Sequence, residues 1–266
     1  MASTARAPAV AGMFYPHDPA ALSAQVTSLL AAAPEPEPGP VRALIVPHAG
    51  YVYSGETAAA AYRCLEQVAP DIQRVVLLGP AHRVYLEGMA VPSVDAFTTP
   101  LGEIPLDRDA IERLAALPGV VEADAAHALE HSLEVQLPFL QSVLGTFSLV
   151  PVVVGECPPE AVARLIEALW DPPGSSINTV FVVTSDLSHF LPYEQARAVD
   201  AETSRRIRSC DPVLTPEDAC GARAVNGLLV FAARRGLHVR ELDVCNSGDT
   251  AGDRARVVGY GSYVIG

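Results

Sequence analysis

Apolar residues follow two patterns that alternate along most of this chain. Short unbroken runs of Val, Leu and Ile, such as "RVVLLGP" and "NTVFVVT", are typical of strands buried on both faces. Longer stretches between them repeat apolar residues every three or four positions, as amphipathic helices do. Strands are predicted over 41–47, 74–80, 147–155 and 178–186, with a final antiparallel pair over 237–249 and 256–266. Helices are predicted over 20–33, 55–68, 107–117, 130–144, 158–170, 193–209 and 220–235, and a hairpin or meander over 86–106.

This alternation predicts the fold class. Buried strands interleaved with helices favour an α/β protein, a three-layer α/β/α sandwich with a mixed, mainly parallel central sheet. The whole chain, residues 1–266, is interpreted as a single domain. Residues 1–40 supply an N-terminal arm, a helix and a proline-rich loop, "PEPEPGP", that pack on it, because this segment is too short to be a domain itself.

Composition excludes some classes of partner. The formal net charge of −13 would repel a phosphate backbone, so nucleic acid is not expected. The longest apolar runs fall short of the roughly 18 residues that a membrane helix needs, and no signal peptide is recognised. The five cysteines show neither a disulfide framework nor a CxxC pair, which favours a reducing cytoplasm. The oligomeric state, monomer or homo-oligomer, is left open.

Histidines follow three of the predicted strands. His48 comes after "ALIVP", His82 after "VVLLGPA", and Asp186 and His189 after "VFVVTS". Ligands in open α/β sheets bind beyond the carboxyl ends of the strands. One histidine after a strand is commonly a turn or core residue, but three at equivalent places favour a shared site.

Two further groups are candidates for this site. Cys220 stands at the predicted start of a helix, where a lowered thiol pKa would favour the metal-binding thiolate; the alternative is an inert buried cysteine. His131 and Glu134 lie three residues apart and would share a helix face near the pocket; the alternative is a capped, solvated helix start. The remaining candidates are interpreted as structural (Cys64, Cys157, Cys210 and, with least support, Cys245) or as surface (Glu103 and Asp124).

Ordered motifs across almost the whole chain carry a family resemblance. "AGMFYP" near residue 11, "VPHAGYVYSG", "LLGPAH", "EHSLEVQLPFL", "TSDLSH", "ACGA" and "GYGSY" near residue 263 resemble the Memo family, in particular its bacterial AmmeMemoRadiSam system protein B branch. The resemblance implies a fold similar to the LigB-type class III extradiol dioxygenases. It also implies iron or copper held by His48, His82 and Cys220, with Asp186 and His189 as a further polar pair. The dioxygenases have a carboxylate as third ligand where this chain offers a thiolate, which puts ring cleavage in doubt.

The resulting hypothesis is a redox-active metal site that acts on a small molecule. His189 would be the acid or base, Asp186 would orient it, and His131 would line the pocket, with Tyr51 and Tyr53 facing the substrate. A thiolate ligand makes Cu(I) more competitive and allows zinc. The alternatives are a metal-free hydrolase with Cys220 as nucleophile, a non-catalytic protein that binds or scaffolds a peptide, and a metal chaperone or buffer.

Overall fold

The computed structural model describes residues 4–170 and 178–266, so residues 1–3 of the predicted arm lie outside it. The helices are α1 Pro19–Ala32, α2 Tyr51–Leu65, α3 Arg108–Ala115, α4 Asp124–Ala128, α5 Leu137–Leu144, α6 Pro159–Leu169, α7 Tyr193–Arg208 and α8 Ala222–Arg235. The strands are β1 Ala5–Arg6, β2 Ala43–Val46, β3 Ile72–Pro80, β4 Met89–Val91, β5 Ala96–Thr99, β6 Gly102–Pro105, β7 Val120–Glu122, β8 Ser148–Val154, β9 Asn178–Thr184, β10 His189–Leu191, β11 Val239–Asn246 and β12 Val257–Ile265. Each of the predicted elements has a counterpart among these, with the shifted boundaries described below.

The main sheet has a parallel centre and antiparallel flanks. Its strand order is β10-β12-β2-β9-β3-β8-β4-β7, and β11 pairs with β12. Strands β2, β9, β3 and β8 run parallel, whereas β12 is antiparallel to β2 and β4 is antiparallel to β8. The carboxyl ends of β2, β9 and β3 therefore lie side by side at one edge, as the sequence predicts for the site.

Helices cover both faces of this sheet. Every residue of β2 is buried, and β3 and β9 each have a single exposed residue near the start, so neither face of the centre meets water. Helix α2 packs on β2, β11 and β12, and α1 and α5 pack on α2. Helix α8 packs on β3 and β9 and against α6, which contacts α3. The predicted α/β/α sandwich with a mixed sheet is confirmed.

A small second sheet joins the amino terminus to the predicted hairpin segment. Strands β5 and β6 form the hairpin, with Ala96 opposite Pro105, and β1 adds to β5 in parallel. Strand β4, from the same segment, joins the main sheet instead. The short elements β7, α4 and β10 are too brief to produce a recognisable period in the sequence.

The predicted helix over 130–144 begins later than expected. Helix α5 starts at Leu137, after a short 3-10 turn, with Pro138 in its first turn, where proline is tolerated. Residues 130–133, before the 3-10 turn, form no helix. In this segment the Glu130 carboxylate accepts hydrogen bonds from the backbone N–H groups of His82 and Ser132. Leu133, which lies before the helix, is buried like Leu137 and Leu140 within it, so the apolar spacing that predicted the helix extends beyond its start.

A buried ion pair ties the amino-terminal arm to this segment. Arg6 Nη1 lies 2.7 Å from Glu134 Oε2, and both side chains are buried. The Glu134 carboxylate also accepts hydrogen bonds from the backbone N–H groups of Ala9 and Val10 and from the Tyr15 hydroxyl. Glu134 therefore anchors the arm. It does not line the cavity near His131, and it is not at a solvated helix start.

Candidate metal centre

Three predicted ligands meet at the carboxyl edge of the sheet. His48 follows β2, His82 follows β3, and Cys220 precedes α8, which packs on β3 and β9. The ligand atoms of these residues all lie within 4.8 Å of one another. His48 Nε2 is 3.2 Å from Cys220 Sγ, and the centroids of the two imidazole rings are 5.1 Å apart. Residues far apart in the chain thus form one compact group.

Two glycines allow this close approach. A Cβ atom on Gly221 would lie 2.5 Å from the carbonyl oxygen of Thr184, and one on Gly79 would lie 2.7 Å from Ser132 Oγ. Both distances are too short for any side chain. Gly221 lets the Cys220 segment rest against the end of β9, and Gly79 lets the 130–133 segment rest against the end of β3. The glycines of "LLGPAH" and "ACGA" therefore have a packing role at the site.

The His48 ring is oriented by hydrogen bonds on its other side. Its Nδ1 is 2.8 Å from Thr184 Oγ1, and this hydroxyl also accepts a hydrogen bond from Gln136 Nε2. The Gln136 side chain accepts in turn from the Tyr62 hydroxyl and is wholly buried. Because the partner of Nδ1 is set, Nε2 is the nitrogen that faces Cys220.

Glu130 orients the second imidazole in the same manner. His82 Nδ1 is 2.9 Å from Glu130 Oε1, and the His82 backbone N–H donates to Oε2. Burial alone would raise the pKa of this carboxyl, but the hydrogen bonds from His82 and Ser132 outweigh it and lower the pKa to about 2. The pairing of Glu130 with His82 is not predicted from the sequence, because only the fold brings the two segments together.

The pKa of the Cys220 thiol differs from the sequence-based prediction. Its pKa is raised to about 12, first by burial and then by the nearby Asp186 carboxylate. The predicted lowering by a helix start is wrong, since α8 begins at Ala222 and the thiol lies before it against Asp186. The metal-free protein therefore carries a neutral thiol here, and metal binding would release a proton.

Asp186 lies beside the first ligand. Its Oδ1 accepts a hydrogen bond of 2.8 Å from the His48 backbone N–H, and its Oδ2 is 3.9 Å from His48 Nε2. Burial raises its pKa to about 7, against the opposing effect of that hydrogen bond. Among the described residues no hydrogen bond joins Asp186 to His189, so the carboxylate contacts the proposed ligand and not the proposed base.

His131 and His189 flank the group. The His131 ring stacks on His82, with centroids 4.7 Å apart, and lies 4.9 Å from the Phe14 ring. Burial lowers the pKa of His131 to about 4 and also lowers that of His189, so both imidazoles are neutral at pH 7. His82, Glu130 and His131 form a second set whose ligand atoms lie within 4.8 Å of one another.

A cavity of about 480 Å³ opens beside these groups. It is lined by Phe14, His48, Ala49, Gly50, Tyr53, His131, Asp186, His189, Ser247, Gly252, Asp253, Arg256, Val258 and Tyr260. Four of the six predicted site residues thus face one space, whereas His82 and Cys220 line a second, smaller cavity of about 130 Å³. Tyr53 lines the cavity as expected, but Tyr51 is buried and donates its hydroxyl hydrogen to the carbonyl of Val135.

The other cysteines lie outside this group. Cys64 is buried, and Cys157 and Cys210 are partly buried. Cys245 Sγ is 3.1 Å from Thr57 Oγ1, which donates its hydrogen to Asp243, and burial raises the thiol pKa to about 11. Of Asn246, Ser247 and Asp249, the polar residues next to Cys245, only Ser247 lines the cavity.

The fold and this group define an α/β protein with two histidines and a cysteine gathered at the carboxyl edge of its sheet. Comparison with known families matches residues 6–264 to the family described as Memo-like protein, and the chain belongs to that family. It is 35% identical to a MEMO1 family protein of Archaeoglobus fulgidus, over 98% of this chain and 99% of that protein. A MEMO1 family protein of Aquifex aeolicus is 37% identical, over 96% and 97% of the two chains.

A solved structure supports the fold. The crystal structure of the uncharacterized protein JW3007 from Escherichia coli K12 superposes with a TM-score of 0.51 at 16% identity, covering 85% of this chain and 100% of that one. At this identity the likeness concerns the fold alone. Across residues 4–170 and 178–266, none of the helices has the length and apolar character needed to cross a bilayer.

Proposed function

We propose that this protein binds a redox-active metal ion, iron or copper, through His48, His82 and Cys220 and acts as a metal-dependent oxidoreductase on a small molecule. The observation that carries the proposal is the convergence of the three ligand atoms within 4.8 Å, beside a cavity of about 480 Å³. The cavity lies within the size range of small-molecule sites, about 300–1,000 Å³.

The donor set fits such an ion. His48 Nε2 and Cys220 Sγ lie 3.2 Å apart, so one ion could contact both. Each imidazole has its Nδ1 engaged, by Thr184 or by Glu130, which leaves Nε2 available. Imidazole and thiolate suit copper and iron, and zinc is a further candidate.

A bound iron or copper ion would supply electron transfer and an open coordination position for the substrate. The protein would supply the proton transfers. Asp186 lines the cavity 3.9 Å from His48 Nε2, and its carboxyl group would be a proton donor or acceptor there. His189, neutral because burial lowers its pKa, is the second acid or base, and His131 forms a wall.

The alternatives have less support. A hydrolase with Cys220 as nucleophile needs a thiolate, and the pKa of this thiol is raised to about 12. A metal chaperone needs ligands from which the ion transfers readily, and although His82 is exposed, His48 is 2% exposed and Cys220 is partly buried. A non-catalytic protein that binds a peptide or small molecule would use the same cavity and would be indifferent to chelators.

Competitive reconstitution tests the proposal. The protein is loaded anaerobically with Fe(II), Cu(I) and Zn(II) together, desalted and subjected to elemental analysis. We expect about one metal ion per chain, lost in His48→Ala and Cys220→Ser. Cys245→Ser is the matched control, because this partly buried thiol lies outside the ligand group, and it should keep its metal.

Oxygen consumption with small-molecule reductants then separates an enzyme from a binding protein. A wild-type protein that takes up no metal under any of these conditions would overturn the metal proposal. A protein that takes up metal but catalyses no redox reaction would contradict the proposed oxidoreductase activity and would favour the non-catalytic binding protein.

A further inference from the structure

Among the residues that line the cavity of about 480 Å³, Arg256 carries the permanent positive charge. The protein as a whole has a net charge of −13, so its long-range field repels anions. Many arginines on this surface are paired with a carboxylate, as Arg223 is with Glu156 and Arg240 with Glu37. Within residues 4–170 and 178–266, no carboxylate forms an ion pair with Arg256.

One of the two acidic residues in the cavity wall accepts a hydrogen bond from the backbone. Asp253 also lines the cavity, but its Oδ1 accepts a hydrogen bond of 3.0 Å from the backbone N–H of Ala255. This bond closes a local turn and directs the carboxylate to the backbone. Among the residues of this lining, neither Asp253 nor Asp186, which is buried beside His48, forms an ion pair with Arg256.

An aromatic ring supports the guanidinium of Arg256. The guanidinium carbon lies over the Phe190 ring, 5.0 Å from its centroid. A guanidinium held over a ring in this way keeps N–H groups with which it can donate to an anion. Arg254, two residues earlier, stacks on Tyr193 in a similar way but does not line the cavity.

The backbone holds Phe190 in an unfavourable conformation. Its φ of 61° is in the left-handed region, which residues with a side chain seldom occupy. The residue sits where the register between β10 and β12 shifts, and such irregularities re-aim side chains next to functional sites. The shift puts Phe190 61% exposed under Arg256 while its neighbour His189 lines the cavity.

The two ends of the cavity differ in chemistry. His48 is 2% exposed and marks the buried end beside the proposed metal, whereas Arg256 is exposed and marks the solvent end. Phe14, Tyr53, Val258 and Tyr260 add apolar surface to the lining. A ligand that fits has an apolar body and an anionic group at its outer end.

We infer that the substrate of this site is a small organic oxyanion, a carboxylate or a phosphate ester with an apolar body, whose anionic group binds Arg256. The inference rests on the proposed function, since it names the substrate class of the same site. It adds a specificity-determining residue, Arg256, and a support for it, Phe190.

Binding of benzoate, phenyl phosphate and benzamide tests the inference. Each is titrated into the metal-free and the metal-reconstituted full chain, followed by calorimetry and by NMR shifts of Val258 and Tyr260. We expect benzoate or phenyl phosphate to bind at least about tenfold more tightly than neutral benzamide, because charge-assisted hydrogen bonds are lost with the amide. The two anions distinguish a carboxylate from a phosphate substrate.

Substitutions test whether Arg256 is the residue that binds the anionic group. Arg256→Gln should remove the preference for the anions over benzamide, and Arg256→Lys should keep part of it. Arg254→Gln is the matched control and should bind as the wild type does. Phe190→Leu keeps an apolar side chain but removes the ring, so it should weaken anion binding less than Arg256→Gln.

Three results would overturn the inference: equal binding of benzoate, phenyl phosphate and benzamide, an unchanged preference in Arg256→Gln, or an equal loss in Arg254→Gln. Failure of the proposed function is a separate result. Metal content is measured on the same samples, so a chain that binds anions through Arg256 but takes up no metal would contradict the metal centre and not the anion site.

Discussion

His82 Nδ1 and Glu130 Oε1 are 2.9 Å apart, and the same carboxylate accepts a hydrogen bond from the His82 backbone N–H. The contact joins the end of β3 to the segment before α5, and Glu130 is 1% exposed. A carboxylate in this position fixes the ring orientation and makes the opposite nitrogen a better ligand. Glu130 is thus a positioning residue for the proposed metal site.

We expect Glu130→Gln to weaken metal binding by about 10- to 100-fold, because the amide cannot supply the negative charge that orients and polarises His82. Competition against a chelator of known affinity measures the change. Glu103→Gln, an exposed substitution far from any ligand, is the control and should leave the affinity unchanged. A folded Glu130→Gln protein with wild-type affinity would contradict the positioning role.

The ion pair between Arg6 and Glu134 predicts a stability effect. Replacing Glu134 with Gln leaves the Arg6 guanidinium buried without its counter-charge, which costs about 3–5 kcal/mol of the free energy of unfolding. Urea denaturation measures this loss, and hydrogen exchange of Ala9 and Val10, which donate to Glu134, should become faster. Glu35→Gln disrupts an exposed pair with Arg63 and should change stability by less than about 1 kcal/mol.

The close packing around Gly221 should fix the position of the proposed ligand Cys220. A Cβ atom here would lie 2.5 Å from the Thr184 carbonyl oxygen, so Gly221→Ala must push the Cys220 segment away from β9. We expect a loss of about 1–3 kcal/mol in stability and a lower metal content. Gly39→Ala is the control, because no atom lies within 4 Å of the added Cβ. Equal metal content in both variants would show that Gly221 has no such role.

His127 predicts a pH dependence of stability in the metal-free protein. Burial lowers its pKa from 6.5 to about 4, and its Nε2 contacts the carbonyl of Ala90. The unfolded chain therefore binds a proton at His127 more readily than the folded one. The contribution of His127 to the free energy of unfolding is at its full value above pH 6.5 and decreases as the pH falls from 6.5 towards 4.

Between pH 7 and pH 5 the loss through His127 amounts to about 2 kcal/mol. Urea denaturation at both pH values, compared between the wild type and His127→Gln, isolates this histidine from the others. The variant should lose less stability than the wild type over the interval. An identical loss in the two proteins would show that His127 titrates normally in the folded state.

The amino-acid sequence by itself determined the fold class and the ligand candidates. Apolar runs and helical periodicities are local features, so β2, β3, β8 and β9 and most helices could be recognised from neighbouring residues alone. His48, His82, His189 and Cys220 could be singled out because each follows a strand or precedes a helix, and the family resemblance selected His48, His82 and Cys220 among them as ligands. Parallel strands then bring their carboxyl ends to one edge.

Only the tertiary structure decided which partners and surroundings these residues have. The pairing of His82 with Glu130, the anchoring of the arm by Glu134 and the position of Arg256 at the cavity join segments that no local pattern connects. The raised pKa of Cys220 follows from burial beside Asp186, which a helix start in the sequence does not reveal. Burial and contact across the sheet depend on the packing of distant segments, whereas secondary structure depends mainly on near neighbours.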